Sequence, residues 1–339
     1  MDPAAPTPPS SPRSPAPLPA EFKDRRTGLQ IFGAFTIVLG VLFALLIPMM
    51  ILGQTLNAKA TGTPVRFREL FFLIVLYGGM ATALVWVGIG SCLIRRWARA
   101  LLLMGSASGL VIGAGSMVVL AFVLPQFGAL IKSAQPAGAP PLAEAAQTVA
   151  MILIGGMVFV IYVVLPGVWF LFYRSPHVKA TCEAHDPVPR WTDACPLPVL
   201  TVSLWLALGV PMLLLMPVIY HSVLPCFGVF LSGWPGTLGY LVLATVWAWS
   251  ARALYRLDVR GWWVLVIAIC LLSLSHVLTY AQRDLMEMYS LMGLPEQQLE
   301  QFKKLNFPSR GMMLWGSVFF LVPFLGYLIY LRKFFRRSA

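Results

Sequence analysis

The densest collection of reactive side chains lies in RSPHVKATCEAHDPVPRWTDACPLPV, residues 174–199, where His177, Cys182, His185 and Cys195 stand among Asp186 and Asp193. Two thiolates and two imidazoles form a donor set suited to tetrahedral zinc. The spacing H-x4-C-x2-H-x9-C matches no standard zinc pattern. The preferred reading is a structured connector, stiffened by Pro187, Pro189, Pro196 and Pro198, with Arg190 pairing locally with Asp186 and Asp193. A sparser candidate is His276 in LSLSHVLTY, which shares a helix face with Ser273 and Tyr280, one turn before and after it. A haem or quinone contact would use this imidazole, with His221 as the second ligand. The simpler expectation for His276 is a hydrogen bond to a neighbouring helix. Phosphate-binding glycine loops, zincin motifs and nucleophile elbows are absent, so no catalytic residue is identified and no cofactor is expected.

The elements that carry these residues follow from composition. Of 339 residues, 58% are hydrophobic and 11% charged, and the mean hydropathy is +0.78. Soluble domains carry about 25% charged residues. A soluble enzyme, a disordered protein and a fibrous repeat are thereby excluded, and a polytopic membrane protein remains. Roughly 20 apolar residues cross a ~30 Å hydrocarbon layer as a helix. Eight segments qualify, at 28–54, 70–94, 99–124, 147–173, 198–221, 236–252, 261–281 and 311–331, the sixth being the weakest. Uninterrupted apolar runs fit helices rather than barrel strands, which gives an all-α membrane helical bundle. Residues 1–27 read as a disordered Pro/Ser/Ala-rich tail, and the first apolar run as a retained span rather than a signal sequence.

In an eight-span arrangement 17 of the 25 Lys and Arg fall on the side of the two termini, the central connector and the turns near Arg95 and Arg256. The positive-inside rule puts that side, with both termini, in the cytoplasm. The net charge of +12 is therefore assigned to topology and to anionic membrane lipids, not to nucleic acid.

The two halves resemble each other. LGVLFALLIP (39–48) matches LGVPMLLLMP (208–217) without a gap, and LIRRWAR (93–99) corresponds to LYRLDVRGWW (254–263). LPGVWFLFY and VPFLGYLIY share a Pro seven residues before a Tyr, at Pro166/Tyr173 and Pro323/Tyr330. A tandem duplication is expected: a first four-helix repeat at 28–173, a connector at 174–197, a second repeat at 198–331, and a basic tail at 332–339. With an even number of spans per unit, the repeats would be parallel. Pro48, Pro166, Pro217 and Pro323 are expected to kink their helices statically. Gly105, Gly109 and Gly113 line one face of the third span, which suits close approach of another helix, internal or from a second subunit.

Outside the membrane, DLMEMYSLMGLPEQQLEQFKKLNF reads as two short amphipathic helices broken at Gly293, with Leu285, Met288 and Met292 on one face of the first and Leu299, Phe302 and Leu305 on the second. They would lie on the membrane surface or cap the bundle. Cys182 and Cys195 are expected to stay reduced, and Cys92, Cys226 and Cys270 to act as small apolar residues.

The string SPHVKATCEAHDPVPRWTDACPLPV, with its surrounding eight-span layout, resembles a family of bacterial multi-pass membrane proteins to which no function is attached. The resemblance implies a bacterial inner (cytoplasmic) membrane and supplies no catalytic residue. The layout is also superficially similar to tandem four-helix haem proteins such as haem A synthase. Those use histidines in both halves, whereas this chain has none before His177, and that family is rejected. No Asp, Glu or Lys lies in the middle of any span, which weakens ion-coupled transport. The leading expectation is a non-enzymatic membrane subunit or scaffold that contacts lipid, a membrane-protein partner or its own copies through glycine-lined helix faces. A transporter or channel for a small or lipophilic solute is the alternative, and a metal- or haem-dependent membrane enzyme the third.

Overall fold

The computed structural model describes residues 23–335 apart from 63–66, 135–140, 220, 295–298, 301–302 and 304–309. The first half runs α1 (Arg26–Thr61), α2 (Phe67–Cys92), α3 (Arg96–Ala134), α4 (Pro141–Phe159), a π-helical turn (Val160–Val164) and α5 (Leu165–Arg174). The connector forms α6 (Pro176–His185) and a 3-10 turn (Trp191–Asp193). The second half runs α7 (Leu197–Ile219), a hairpin of β1 (Leu224–Cys226) and β2 (Val229–Leu231), α8 (Gly233–Tyr255), α9 (Val259–Gln282), α10 (Leu285–Leu291) and α11 (Arg310–Phe335). Among the described residues seven helical stretches are long and apolar enough to cross a membrane: Arg26–Ala60, Leu70–Cys92, Arg96–Ala121, Thr148–Arg174, Leu197–Ile219, Val259–Gln282 and Gly311–Phe335. The chain is thus an all-α membrane bundle, and seven of its described helices meet that length and apolarity, where eight segments qualify in the sequence. The expected sixth span does form a helix, α8, but its glycines, Ser250 and Arg252 dilute the apolar run.

Apolar burial cannot drive helix association within lipid, so van der Waals fit and polar contacts must. The described core accordingly collects where helices meet polar segments. One cluster joins Leu29, Ile94, Leu102, Tyr173, Val178 and Cys182, and a second joins Val199, Leu254, Trp262, Leu265, Leu328 and Leu331. Met104, Cys195 and Leu200 bridge the two halves. All three lie toward the connector end. At the far end of the second half, Val223, Tyr280, Leu285 and Met288 form a smaller cluster.

Both tight turns at the connector end use the same closure. Ile94 N–H donates to Ser91 and Arg95 N–H to Gly90; likewise Leu257 N–H donates to Leu254 and Asp258 N–H to Ala253. This paired pattern caps the free carbonyls of α2 and α8 and requires a left-handed residue, supplied by Ile94 and Leu257, each at φ 58°. Both are non-glycine residues, for which this conformation costs about 1–2 kcal/mol. Ile94 is buried, and Leu257 packs against the buried residues of the second half, so apolar contact offsets that cost.

Pro166 explains the π-helical turn in the fourth span. A proline has no N–H for the carbonyl four residues before it and crowds that carbonyl, so the preceding turn widens. The carbonyl concerned is that of Tyr162, inside Val160–Val164. Pro323, its expected counterpart, sits within the continuous helix α11. Pro166 and Pro323 therefore have different local outcomes.

Two features differ from the sequence reading beyond the span count. The hairpin was not expected, although its turn is legible: Phe227 and Gly228 both have positive φ, 43° and 93°, as a two-residue primed turn demands. Its backbone is held on α9, Phe227 N–H donating to Ser275 Oγ and Gly228 N–H to Thr279 Oγ1, each at 3.0 Å. The first of the two expected amphipathic helices is α10, which caps the bundle by burying Leu285 and Met288. Phe302 and Leu305 of the stripe expected of the second, like most of the N-terminal tail, lie outside the described residues.

Candidate functional site

The connector is a folded platform across the ends of α1, α3, α5 and α7. Pro176 starts α6 and Ser175 breaks it from α5, turning the chain back under the bundle. Val178, Thr181 and Cys182 then face inward and are buried. The segment that enters α1 is fixed from α6: Arg25 N–H donates to Thr181 Oγ1 at 3.1 Å, Lys23 N–H to His177 Nδ1 at 3.4 Å, and the Arg26 guanidinium meets His185 Nε2. The other ring nitrogen of His185 contacts the Thr181 carbonyl at 2.9 Å. Both connector histidines are thus committed to holding the entry of α1.

Asp186 is the electrostatic centre of the platform. Its carboxylate, 3% exposed, accepts from Arg190 Nη2 at 2.6 Å and from the Arg96 N–H at 3.3 Å, with Arg95 Nη1 at 3.9 Å. Arg190 beside it holds the carboxyl below its ordinary value, and Asp186 in turn raises Arg190. The expected Arg190–Asp186 pairing is therefore present. Asp193 accepts from Arg190 through the backbone N–H at 2.9 Å, while its side-chain ion pair is with Arg96 at 3.4 Å.

The thiols serve packing. Cys182 belongs to the cluster around Tyr173, Cys195 to the one around Met104 and Leu200, and neither is in a disulfide. Burial pushes Cys182 up to about 12 and Cys195 up to about 11, which keeps both protonated and poor as metal ligands. Among the described residues no group of three or more His, Cys, Asp or Glu is placed to share a metal ion. His177 and His185 point to the α1 entry, whereas Cys182 and Cys195 border a cavity of about 240 Å³ with Arg96, Arg99 and Lys179. The structure thus does not bring the four candidate zinc donors to one centre.

His276 lines a different cavity, of about 330 Å³, between α9 and α11, with Ser273, Ser317, Leu272, Phe320 and Phe324. Its ring packs on Tyr280 at 4.5 Å between centroids, so the shared face with Ser273 and Tyr280 is real. The hydrogen bond expected of it to another helix is not formed among the described residues. His221 stands instead at the end of α7 beside Gly293, where a Cβ on that glycine would lie 3.5 Å from its Nε2. The two histidines have separate surroundings.

The glycine face of α3 turns out to be occupied. An added Cβ on Gly113 would collide with the Tyr162 carbonyl, and one on Gly109 would lie 3.2 Å from Pro166. The partner helix is internal. Gly105 meets nothing within 4 Å. The feature that sequence reading missed is the joint role of Arg96 and Arg99: their RRWAR turn was read for topology alone, yet it supplies cations to the connector cavity.

Comparison with protein-family models, with curated proteins and with solved structures finds no match for this chain.

Proposed function

We propose that the chain is a non-enzymatic component of a bacterial inner membrane, a subunit or scaffold of eight helices, α8 added to the seven apolar ones, in two parallel four-helix repeats with both termini in the cytoplasm. The observation that carries this reading is the junction between the halves. There α3 meets α7 through Met104 and Leu200, and Trp205 Nε1–H donates to Ser108 Oγ at 2.8 Å. Neighbouring hydroxyls are turned back onto their own helices, Ser106 to the Leu103 carbonyl and Thr201 to the Leu197 carbonyl. A solute path between repeats needs polar groups free to face it; here they are satisfied locally. The folded connector ties both halves into one platform, as a scaffold requires. Because Gly109 and Gly113 are used internally, contact with other proteins would be made through other surfaces than the glycine face first expected.

The purified chain reconstituted alone into liposomes should pass solutes no faster than protein-free vesicles. Native mass spectrometry in mild detergent should show a fixed copy number or a companion membrane protein in fixed ratio. Solute flux by the lone chain, abolished by substitutions at the α3–α7 junction, would overturn the reading.

One observation favours the alternative of a lipophilic solute: the His276 cavity lies within the apolar length of α9 and α11 and carries only a few polar groups, as small-molecule sites do. A lipophilic mass retained by the wild type and lost on Ser317→Leu, which fills that cavity, would select this reading.

A further inference from the structure

The cavity at the connector end has an imbalance of hydrogen-bond donors. It is lined by Arg96, Arg99, Lys179 and Thr192 together with Glu183 and Asp193. Both carboxylates are already engaged: Arg96 pairs with Glu183 and with Asp193 at 3.4 Å each, and Lys179 reaches Glu183 at 3.8 Å. Two donors are left over, Arg99 Nε and Thr192 Oγ1. Arg99 Nε and Thr192 Oγ1 are buried and have no hydrogen-bond partner among the described residues, and Thr192 is only 2% exposed. Native proteins seldom bury such groups unsatisfied, so each orphan points to a missing acceptor. Arg99 sits in the first turn of α3, where the Asp186 carboxylate already accepts from the Arg96 N–H, so the guanidinium and not the helix end is the group left for an anion.

We propose that this cavity binds a phosphate group, with Arg99 and Thr192 donating to its oxygens. A tetrahedral anion fits because several oxygens on one centre accept from a guanidinium and a hydroxyl that approach from different elements. The Glu183 and Asp193 carboxylates do not repel it strongly, since Arg96 and Lys179 neutralise them in place. The cavity lies where α3 begins, at the boundary expected of a lipid headgroup, and it also borders the connector. The phosphate therefore comes either from an anionic phospholipid or from a soluble phosphate, and both present the same chemistry.

The test uses the full chain in detergent. Its melting temperature is followed by tryptophan fluorescence against sodium phosphate, with sodium chloride at matched ionic strength. Native mass spectrometry then measures lipid retained from micelles doped with phosphatidylglycerol or phosphatidylcholine. We expect a saturable rise in melting temperature with phosphate, retention of one phosphatidylglycerol, or both. Response to inorganic phosphate identifies a site open to soluble ligands, and response to phosphatidylglycerol alone identifies a headgroup site. Thr192→Val, nearly isosteric, should weaken binding about tenfold and Arg99→Gln should abolish it, as loss of one neutral and one charged donor implies. Arg256→Gln, an exposed charge at the same end, should leave it unchanged. No saturable effect of either probe, or an effect that survives in both Thr192→Val and Arg99→Gln, overturns the proposal.

Discussion

The carbonyl oxygen of Tyr162 occupies the space where a side chain on Gly113 would begin. Pro166 withholds the N–H that this carbonyl would otherwise accept, and the π-helical turn that results presses it against α3. Only glycine admits a backbone that close. Gly113→Ala should therefore destabilise the protein by about 1–3 kcal/mol, the usual range for overpacking. Gly105→Ala, on the same face with nothing within 4 Å, should be neutral or stabilising by about 0.5 kcal/mol. Thermal melts of the two variants check this, with the copy number from native mass spectrometry expected to stay constant.

The two capped turns contain a reciprocal pair. In the first, a Cβ on Gly90 would lie 2.8 Å from the Cβ of Ala98; in the second, a Cβ on Gly261 would overlap that of Ala253. Each turn needs one glycine at the crossing, and the halves place it on opposite helices. Gly261→Ala should lower the melting temperature, at a cost of about 1–3 kcal/mol. The double variant Ala253→Gly with Gly261→Ala, which transfers the first-half arrangement to the second, should recover most of the loss.

Tyr173 and Tyr330 align in sequence and differ in their surroundings. Tyr173 is buried and shares a 2.7 Å hydrogen bond with Ser91, which also donates to the Leu29 carbonyl. Tyr330 is exposed and lies under Lys333, 3.7 Å from its ring centre. Tyr173→Phe should cost about 1 kcal/mol by removing that bond, while Tyr330→Phe, which keeps the ring, should have no measurable effect. Chemical denaturation in a fixed detergent distinguishes the two.

Asp186 couples the platform to pH. Its folded-state pKa lies below that of the unfolded chain, because Arg190 and the Arg96 N–H favour the carboxylate. Its stabilisation is complete above the unfolded value of about 3.9 and is lost as pH falls through the folded one. At pH 7 Asp186→Asn should lose about 2 kcal/mol, typical of hydrogen bonds to a charged group. The difference in melting temperature between wild type and variant should narrow as pH falls below about 4. A gap that stays constant to low pH would show that the carboxylate charge is not what holds the connector.

What the sequence alone determined is what depends on composition and local chain chemistry. Length and apolarity settled a helical membrane protein, because a ~30 Å hydrocarbon layer admits few other solutions. The Leu285/Met288 stripe and the Arg190–Asp186 pairing were legible because each lies within one or two turns of chain. The tertiary structure alone decided which surfaces are used. It placed the α3 glycines against Tyr162 and Pro166, since a small-residue face specifies close contact and not the identity of the partner. It divided the connector's histidines and cysteines between the α1 entry and two apolar clusters, because spacing along the chain does not fix where an irregular segment folds back. It brought Arg96 and Arg99 beside Lys179 and Thr192, roughly 80 to 95 residues away in sequence, and that separation is what hid the cavity from any local pattern.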